Sequence, residues 1–219
     1  MSGRGSRAVR SLSWTLVFLL SACGTGLYYS TMERFGQDKR DILVSRVQSG
    51  QEEQRAAEEQ FLTTYELLKQ LTSFDGGDLE ELYERLSGEF NDSEDRAEDV
   101  RSRIRSIEQV AGDLFDEWTH EITLISNPEL RRQSQARLRE TRARYDELIG
   151  AMKRAETRMD PVLTAFRDQV LFLKHNLNAR ALTSLEGTAA DIEADIDRLI
   201  RDMRESIRES EVFLASMNG

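Results

Sequence analysis

The side chains readiest for nucleophilic or metal chemistry near neutral pH are few: one cysteine, Cys23, and two histidines, His120 and His175. Glu117-Trp118-Thr119-His120 has the Glu-x-x-His spacing that helical di-iron sites use. Those sites need two such pairs and two further glutamates, and His175 has Phe172 three residues before it. His120-Glu121 does not extend to a His-Glu-x-x-His zinc signature, because Leu124 stands at the second histidine position. No serine, threonine or lysine falls in a recognised nucleophile motif, and no glycine-rich phosphate loop follows a strand. The many acid pairs sit at helical spacing on solvated faces. The expectation is therefore no catalysis, no metal and no cofactor.

Cys23 has different prospects. As the single cysteine it has no intramolecular disulfide partner. It follows Arg4, Arg7 and Arg10, a short apolar run from Trp14 to Leu20, and Ser21-Ala22. A basic segment, a brief apolar segment and small residues make a secretory signal, since a spanning helix needs roughly 20 apolar residues. Leu20-Ser21-Ala22-Cys23 resembles a bacterial lipobox, in which the cysteine takes a diacylglycerol on sulfur and becomes the new N-terminus. Residues 1–22 are then the signal peptide, Cys23 the lipidation site and residues 23–28 a lipidated tether. Two or more acyl chains hold firmly where one binds marginally. Gly24 stands where an aspartate would retain such a lipoprotein in the inner membrane. The expected location is the cell envelope, on the outer membrane facing the periplasm.

Loss of residues 1–22 removes three arginines and no acid, which moves the net charge from -10 to -13. That balance disfavours nucleic acid and anionic head groups as partners. With 39% apolar, 7% aromatic and 32% charged residues, and only two prolines, the composition suits long helices with narrow apolar stripes. The expected fold is all-α: an elongated antiparallel bundle or coiled coil of three to four long helices, one domain over residues 29–219.

The first helix is expected from about Tyr29 to Leu71. Leu43, Val47, Gly50, Gln54, Ala57, Phe61, Thr64, Leu68 and Leu71 alternate by four and three, a heptad seam that thins in its middle. Asp75-Gly76-Gly77-Asp78 marks a turn, and a second helix follows from Leu79 to about Ile125. Folding it back about residue 75 sets Phe61 against Phe90, Leu68 against Tyr83 and Leu43 against Ile107. Asn127-Pro128-Glu129 is the clearest helix start: a cap, a proline at the first position, then an acid. Arg131, Arg132, Arg137, Arg139, Arg142 and Arg144 open that third helix, where Asp113, Asp116, Glu117 and Glu121 of the second are expected to pair with them. Pro161 predicts a kink or short break at Met159-Asp160. Gly187 before Thr188-x-x-Asp191 favours a hairpin there, although the stripe Leu185, Ala189, Ile192, Ile196 and Leu199 keeps phase through it.

One segment stands apart. Val170-Leu171-Phe172-Leu173 covers about 300° of a helix, so it should be largely enclosed, with Leu171 or Phe172 the residue left open. His175, Asn176 and Asn178 bring polar groups close to that apolar zone. Leu171, Phe172, His175, Asn176 and Asn178 are accordingly the candidate interaction residues.

Tyr28-Tyr29, Lys39-Arg40-Asp41-Ile42-Leu43, Phe74-Asp75-Gly76-Gly77-Asp78-Leu79, Asp160-Pro161-Val162 and Leu173-Lys174-His175-Asn176-Leu177-Asn178 occur in an order that resembles one uncharacterised family. These are the bacterial lipoproteins catalogued as domain of unknown function 2959, and the resemblance covers nearly all of the chain after Cys23. It implies a Gram-negative envelope protein with a coiled-coil-like helical body, and no activity. The expected role is a structural or protein-interaction module, an adaptor or spacer held to the membrane through lipid on Cys23. It would meet a protein partner or another copy through its helices. The alternative is a helical carrier holding a lipid or small ligand between helices.

Overall fold

The computed structural model describes the backbone of residues 24–72, 79–176 and 179–218, and side chains over 39–71, 79–176 and 192–217. Cys23, the turn at Asp75-Gly76-Gly77-Asp78 and Asn178 lie outside these. The described backbone forms four helices: α1 Gly24–Thr72, α2 Leu79–Leu124, α3 Pro128–His175 and α4 Ala179–Asn218. The chain divides into two compact units, residues 1–38 and 39–219. In the first, the backbone is already helical from Gly24, through residues expected to form a tether. A glycine costs a helix only about 1 kcal/mol, so Gly24 and Gly26 do not forbid it.

The second unit is an antiparallel four-helix bundle. Along α1 and α2, Lys39 pairs with Glu117 at 2.9 Å, Glu53 with Arg103 at 3.5 Å and Gln60 with Glu89 at 2.7 Å, so numbers rise on one helix as they fall on the other. Gln60 and Glu89 each adjoin a member of the expected Phe61–Phe90 pair. α2 meets α3 through Arg101–Asp160 at 2.6 Å and Trp118–Ser134 at 3.0 Å. α3 meets α4 through Arg154–Glu205 and Arg158–Asp202, both at 3.2 Å. α4 closes on α1 through Arg204–Glu58 at 2.7 Å. Exposed pairs of this kind fix neighbours more than they stabilise, at about 0–1 kcal/mol each.

Stability comes from the seams. All nine expected positions of the α1 stripe are buried, and Phe61, Phe166 and Phe213 are among the largest fully enclosed side chains. Each such residue contributes roughly 1.5–3 kcal/mol by leaving water. Phe61 and Phe166 meet across the bundle with ring centroids 6.3 Å apart, which ties α1 to α3. The thin middle of the α1 seam is filled from elsewhere. A Cβ at Gly50 would lie 2.9 Å from Ile107 Cδ1 and 3.5 Å from Met152 Cε, so the missing side chain is the space those two occupy.

Two expected breaks do not form. α3 runs unbroken through Pro161, with Met159 and Val162 both fully buried on either side. The proline removes one hydrogen bond, at a cost of about 3 kcal/mol, which the burial on its flanks outweighs. α4 likewise runs through Gly187, and α3 ends at His175, well ahead of it. A glycine inside a helix is a smaller penalty than breaking the phase of Ile192, Ile196, Leu199 and Met203, all buried. Asn127 behaves as expected: its side chain accepts from the backbone N–H of Glu129 at 2.8 Å and of Leu130 at 3.3 Å. Leu130, in the first turn of α3, is 54% exposed.

Candidate functional site

The apolar run on α3 is split by the helix. Val170 and Leu173, three residues apart, face the core at 7% and 0% exposure, whereas Leu171 and Phe172 remain 52% and 38% exposed. The run expected to be largely enclosed is thus half open. Either Leu171 or Phe172 was expected to stay open, and both do. His175 is exposed beside them. Asn176 ends α3: its backbone N–H donates to the Leu173 carbonyl at 3.0 Å, and its Nδ2 donates to the Phe172 carbonyl at 2.9 Å. Leu171, Phe172, His175 and Asn176 therefore lie together at the C-terminal end of α3.

The Glu-x-x-His pair is not assembled into a metal site. Glu117 is engaged by Lys39, His120 is exposed, and no group of three potential ligands forms among the described residues. Burial pushes the Glu121 carboxyl above its usual range, with the Glu117 charge acting in the same sense. Tyr145 is pushed up to about 12, first by burial and then by the charges of Glu108 and Asp146, so it stays protonated at neutral pH. Its ring packs edge-on to Phe115 and Phe213, at 5.4 and 6.4 Å.

The α3 arginines behave differently from expectation. Among the described residues, none forms an ion pair with Asp113, Asp116, Glu117 or Glu121. Arg131 donates to the Ile125 carbonyl at 2.7 and 2.9 Å, closing the end of α2. Arg142 lies over the Phe115 ring, 5.1 Å from its centroid, and donates to the Phe115 carbonyl at 3.4 Å. Arg132 and Arg144 pair within their own helix, with Glu129 and Glu140. Arg137 and Arg139 are exposed, with no carboxylate partner among the described residues. Side chains this long and solvated gain too little from one cross-helix pair to be fixed by it.

Gln54 and Thr64, expected on the apolar stripe of α1, belong instead to two buried polar layers. In one, the Thr64 and Ser93 hydroxyls meet at 2.8 Å with the Glu89 carbonyl 3.0 and 2.9 Å from them, so that one hydroxyl donates to its neighbour and the other to the carbonyl. In the other, the Ser206 hydroxyl donates to Gln54 Oε1 at 2.8 Å, while Gln54 Nε2 is buried with no partner. A signal existed: these are the polar members of otherwise apolar heptad positions, as register-setting residues commonly are.

No helix among the described residues is long and apolar enough to cross a membrane. No curated protein and no solved structure matches the chain. A family model described as a protein of unknown function, DUF2959, matches residues 28–217. That span takes in all four helices apart from the first residues of α1 and the last of α4, so the chain belongs to the DUF2959 family.

Proposed function

We propose that this protein is a lipid-anchored spacer or adaptor of a bacterial envelope, held to the outer membrane by acyl chains on Cys23 and presenting a contact surface away from it. The reading of residues 1–23 as signal and lipobox supports the anchor. One observation carries the spacer: α3 alone has 48 residues, and at ~1.5 Å each it places its C-terminal apolar pair about 70 Å from its N-terminus. α1 enters the bundle beside Glu117, near the N-terminal end of α3, so Leu171 and Phe172 stand at the end remote from the entry of α1.

Many charged groups of the bundle form ion pairs between and along helices, which suits a scaffold. The carrier reading has less support, because Ile107 and Met152 of the chain itself occupy the space at the weak seam beside Gly50.

Labelling cells with palmitate tests the anchor. The unaltered protein should carry label and sediment with membranes, and Cys23→Ser should carry none and leave them, or remain unprocessed. An unlabelled wild-type protein overturns the anchored reading. A photo-cross-linker at Phe172 tests the spacer: a discrete protein adduct that Leu171→Ser removes supports it, and no adduct at any exposed α3 position counts against it.

A further inference from the structure

Charge is unevenly spread along the bundle. The Thr64 and Ser93 hydroxyls, the Phe61 and Phe166 rings, and the Tyr65 hydroxyl donating to Glu193 set residues 60–71, 79–97, 163–176 and 192–199 at one end, where α3 stops. Those stretches carry twelve carboxylates against six lysines and arginines. The other described side chains, residues 39–59, 98–162 and 200–217, carry 22 against 19. With histidines neutral, a net of -6 gathers at the α3 end and only -3 is spread over the rest. The ion pairs Arg167–Glu94, Arg198–Asp195 and Lys69–Glu66 cancel one for one and leave that excess untouched. Leu171 and Phe172 stand inside it. Leu171 lies one turn beyond Arg167, on the flank of α3 that meets Glu94 of α2. Phe172 lies about four turns beyond Arg158, on the flank that meets Asp202 of α4. Between them, on the outer face, are the exposed Asp168 and His175. Lys174, exposed three residues past Leu171, is already counted among the six cations.

We infer that the Leu171–Phe172 surface takes a basic polypeptide: a segment of a partner protein that sets apolar side chains on Leu171 and Phe172 and lysines or arginines over the surrounding carboxylates, Asp168 among them. This rests on the reading of the α3 end as a protein contact, and it names the partner's chemistry. Charge decides between occupants. Two copies joined through this same surface would set one net of -6 against another, and like charges brought together oppose association. An anionic phospholipid surface and a nucleic acid are repelled in the same way. A basic segment is drawn in, and its own charges meet carboxylates when water leaves. The apolar pair then supplies the hold, while charge supplies the encounter rate and the choice of partner.

The probe is a fluorophore-labelled amphipathic helical peptide of leucine and lysine, titrated against the full chain by anisotropy. Binding is expected, weakening as salt rises from about 0.1 M, where the Debye length is ~10 Å, towards 1 M, where it is ~3 Å. The same peptide with glutamate for lysine, or serine for leucine, should bind about tenfold or more weakly. Leu171→Ser with Phe172→Ser, and separately Glu84→Lys with Asp168→Lys, should each weaken the lysine peptide about tenfold or more at unchanged melting temperature. Glu84 is exposed on α2 at the same end, whereas Asp113 and Asp116 are exposed near the other. Asp113→Lys with Asp116→Lys should therefore leave binding unchanged. Binding that survives both pairs at the α3 end, or falls as far with the Asp113 and Asp116 pair, overturns the inference. A photo-cross-linker at Phe172 in living cells separates it from the reading beneath it, the cross-linked segment being sequenced by mass spectrometry. A segment with more lysine and arginine than aspartate and glutamate supports the basic partner. An acidic segment, or a second copy of this chain, overturns the basic partner and leaves the protein contact standing. No protein adduct overturns the contact itself and the inference with it.

Discussion

α3 begins and ends in opposite chemistries. Its first turns carry Arg131, Arg137, Arg139 and Arg142 with their charges uncompensated, and its last turn carries Leu171 and Phe172 half open to water. Between them Leu148, Met152, Met159, Val162 and Phe166 are almost wholly buried. A heptad seam decides the middle of such a helix, because its inward positions are buried against the other helices. At the ends fewer neighbours are present, and the side chains left over are free to serve contact with something outside. The middle should therefore answer to stability and the ends to binding.

The largest expected effect separates two phenylalanines six residues apart. Phe166→Ala empties a position 1% exposed and should cost about 3–5 kcal/mol in urea unfolding. Phe172→Ala should cost under about 1 kcal/mol, as surface substitutions do. Equal losses would erase the distinction between core and end. Next comes Gly50→Leu, which forces a side chain into the space of Ile107 and Met152. A loss of about 1–3 kcal/mol is expected, partly restored by Ile107→Val. No rescue by the smaller residue would mean that the two positions do not share that space.

The two polar layers sharpen the comparison further. Ser206→Ala leaves the whole Gln54 amide without a partner and should cost about 1–3 kcal/mol. Ser93→Ala leaves Thr64 still bonded to the Glu89 carbonyl at 3.0 Å, so its loss should be about half a kcal/mol to one. The reverse ranking would assign the specificity to the wrong layer.

The smallest effect is a pH dependence. The Glu121 carboxyl is raised chiefly by burial, which opposes its charged form. A raised folded pKa gives stability that is full below the unfolded value and lost as pH rises through the folded one. Glu121→Gln should therefore unfold less readily than wild type at pH 7, by under about 1 kcal/mol, with the difference vanishing below about pH 4. A stabilisation that persists unchanged in acid would point to packing rather than charge.

How much of this was legible follows the same division. The α1 seam from Leu43 to Leu71 could be read outright, because each residue repeats at the spacing that faces a neighbour. The Asn127-Pro128 start was equally plain, since capping is a local bond. Gly187 misled, and Pro161 made no break, for the converse reason: both are local breakers, and the burial of Met159, Val162 and Ile192 is a tertiary term that overrides them. The arginine pairing failed because exposed ion pairs are too weak to be dictated by register. Leu171 and Phe172 were half legible: their being out of phase was visible, and their being open needed the position of every other helix.

The central claim is that α3 ends in a protein contact remote from the anchored end of the chain. The most direct measurement places a photo-cross-linker in living cells at Phe172 in one strain and at Gln135, exposed near the start of α3, in another, in otherwise unaltered chains. Phe172 should yield a discrete protein adduct, removed by Leu171→Ser, and Gln135 should not yield it. The same adduct at both positions, or a protein adduct at Gln135 and none at Phe172, would contradict the claim.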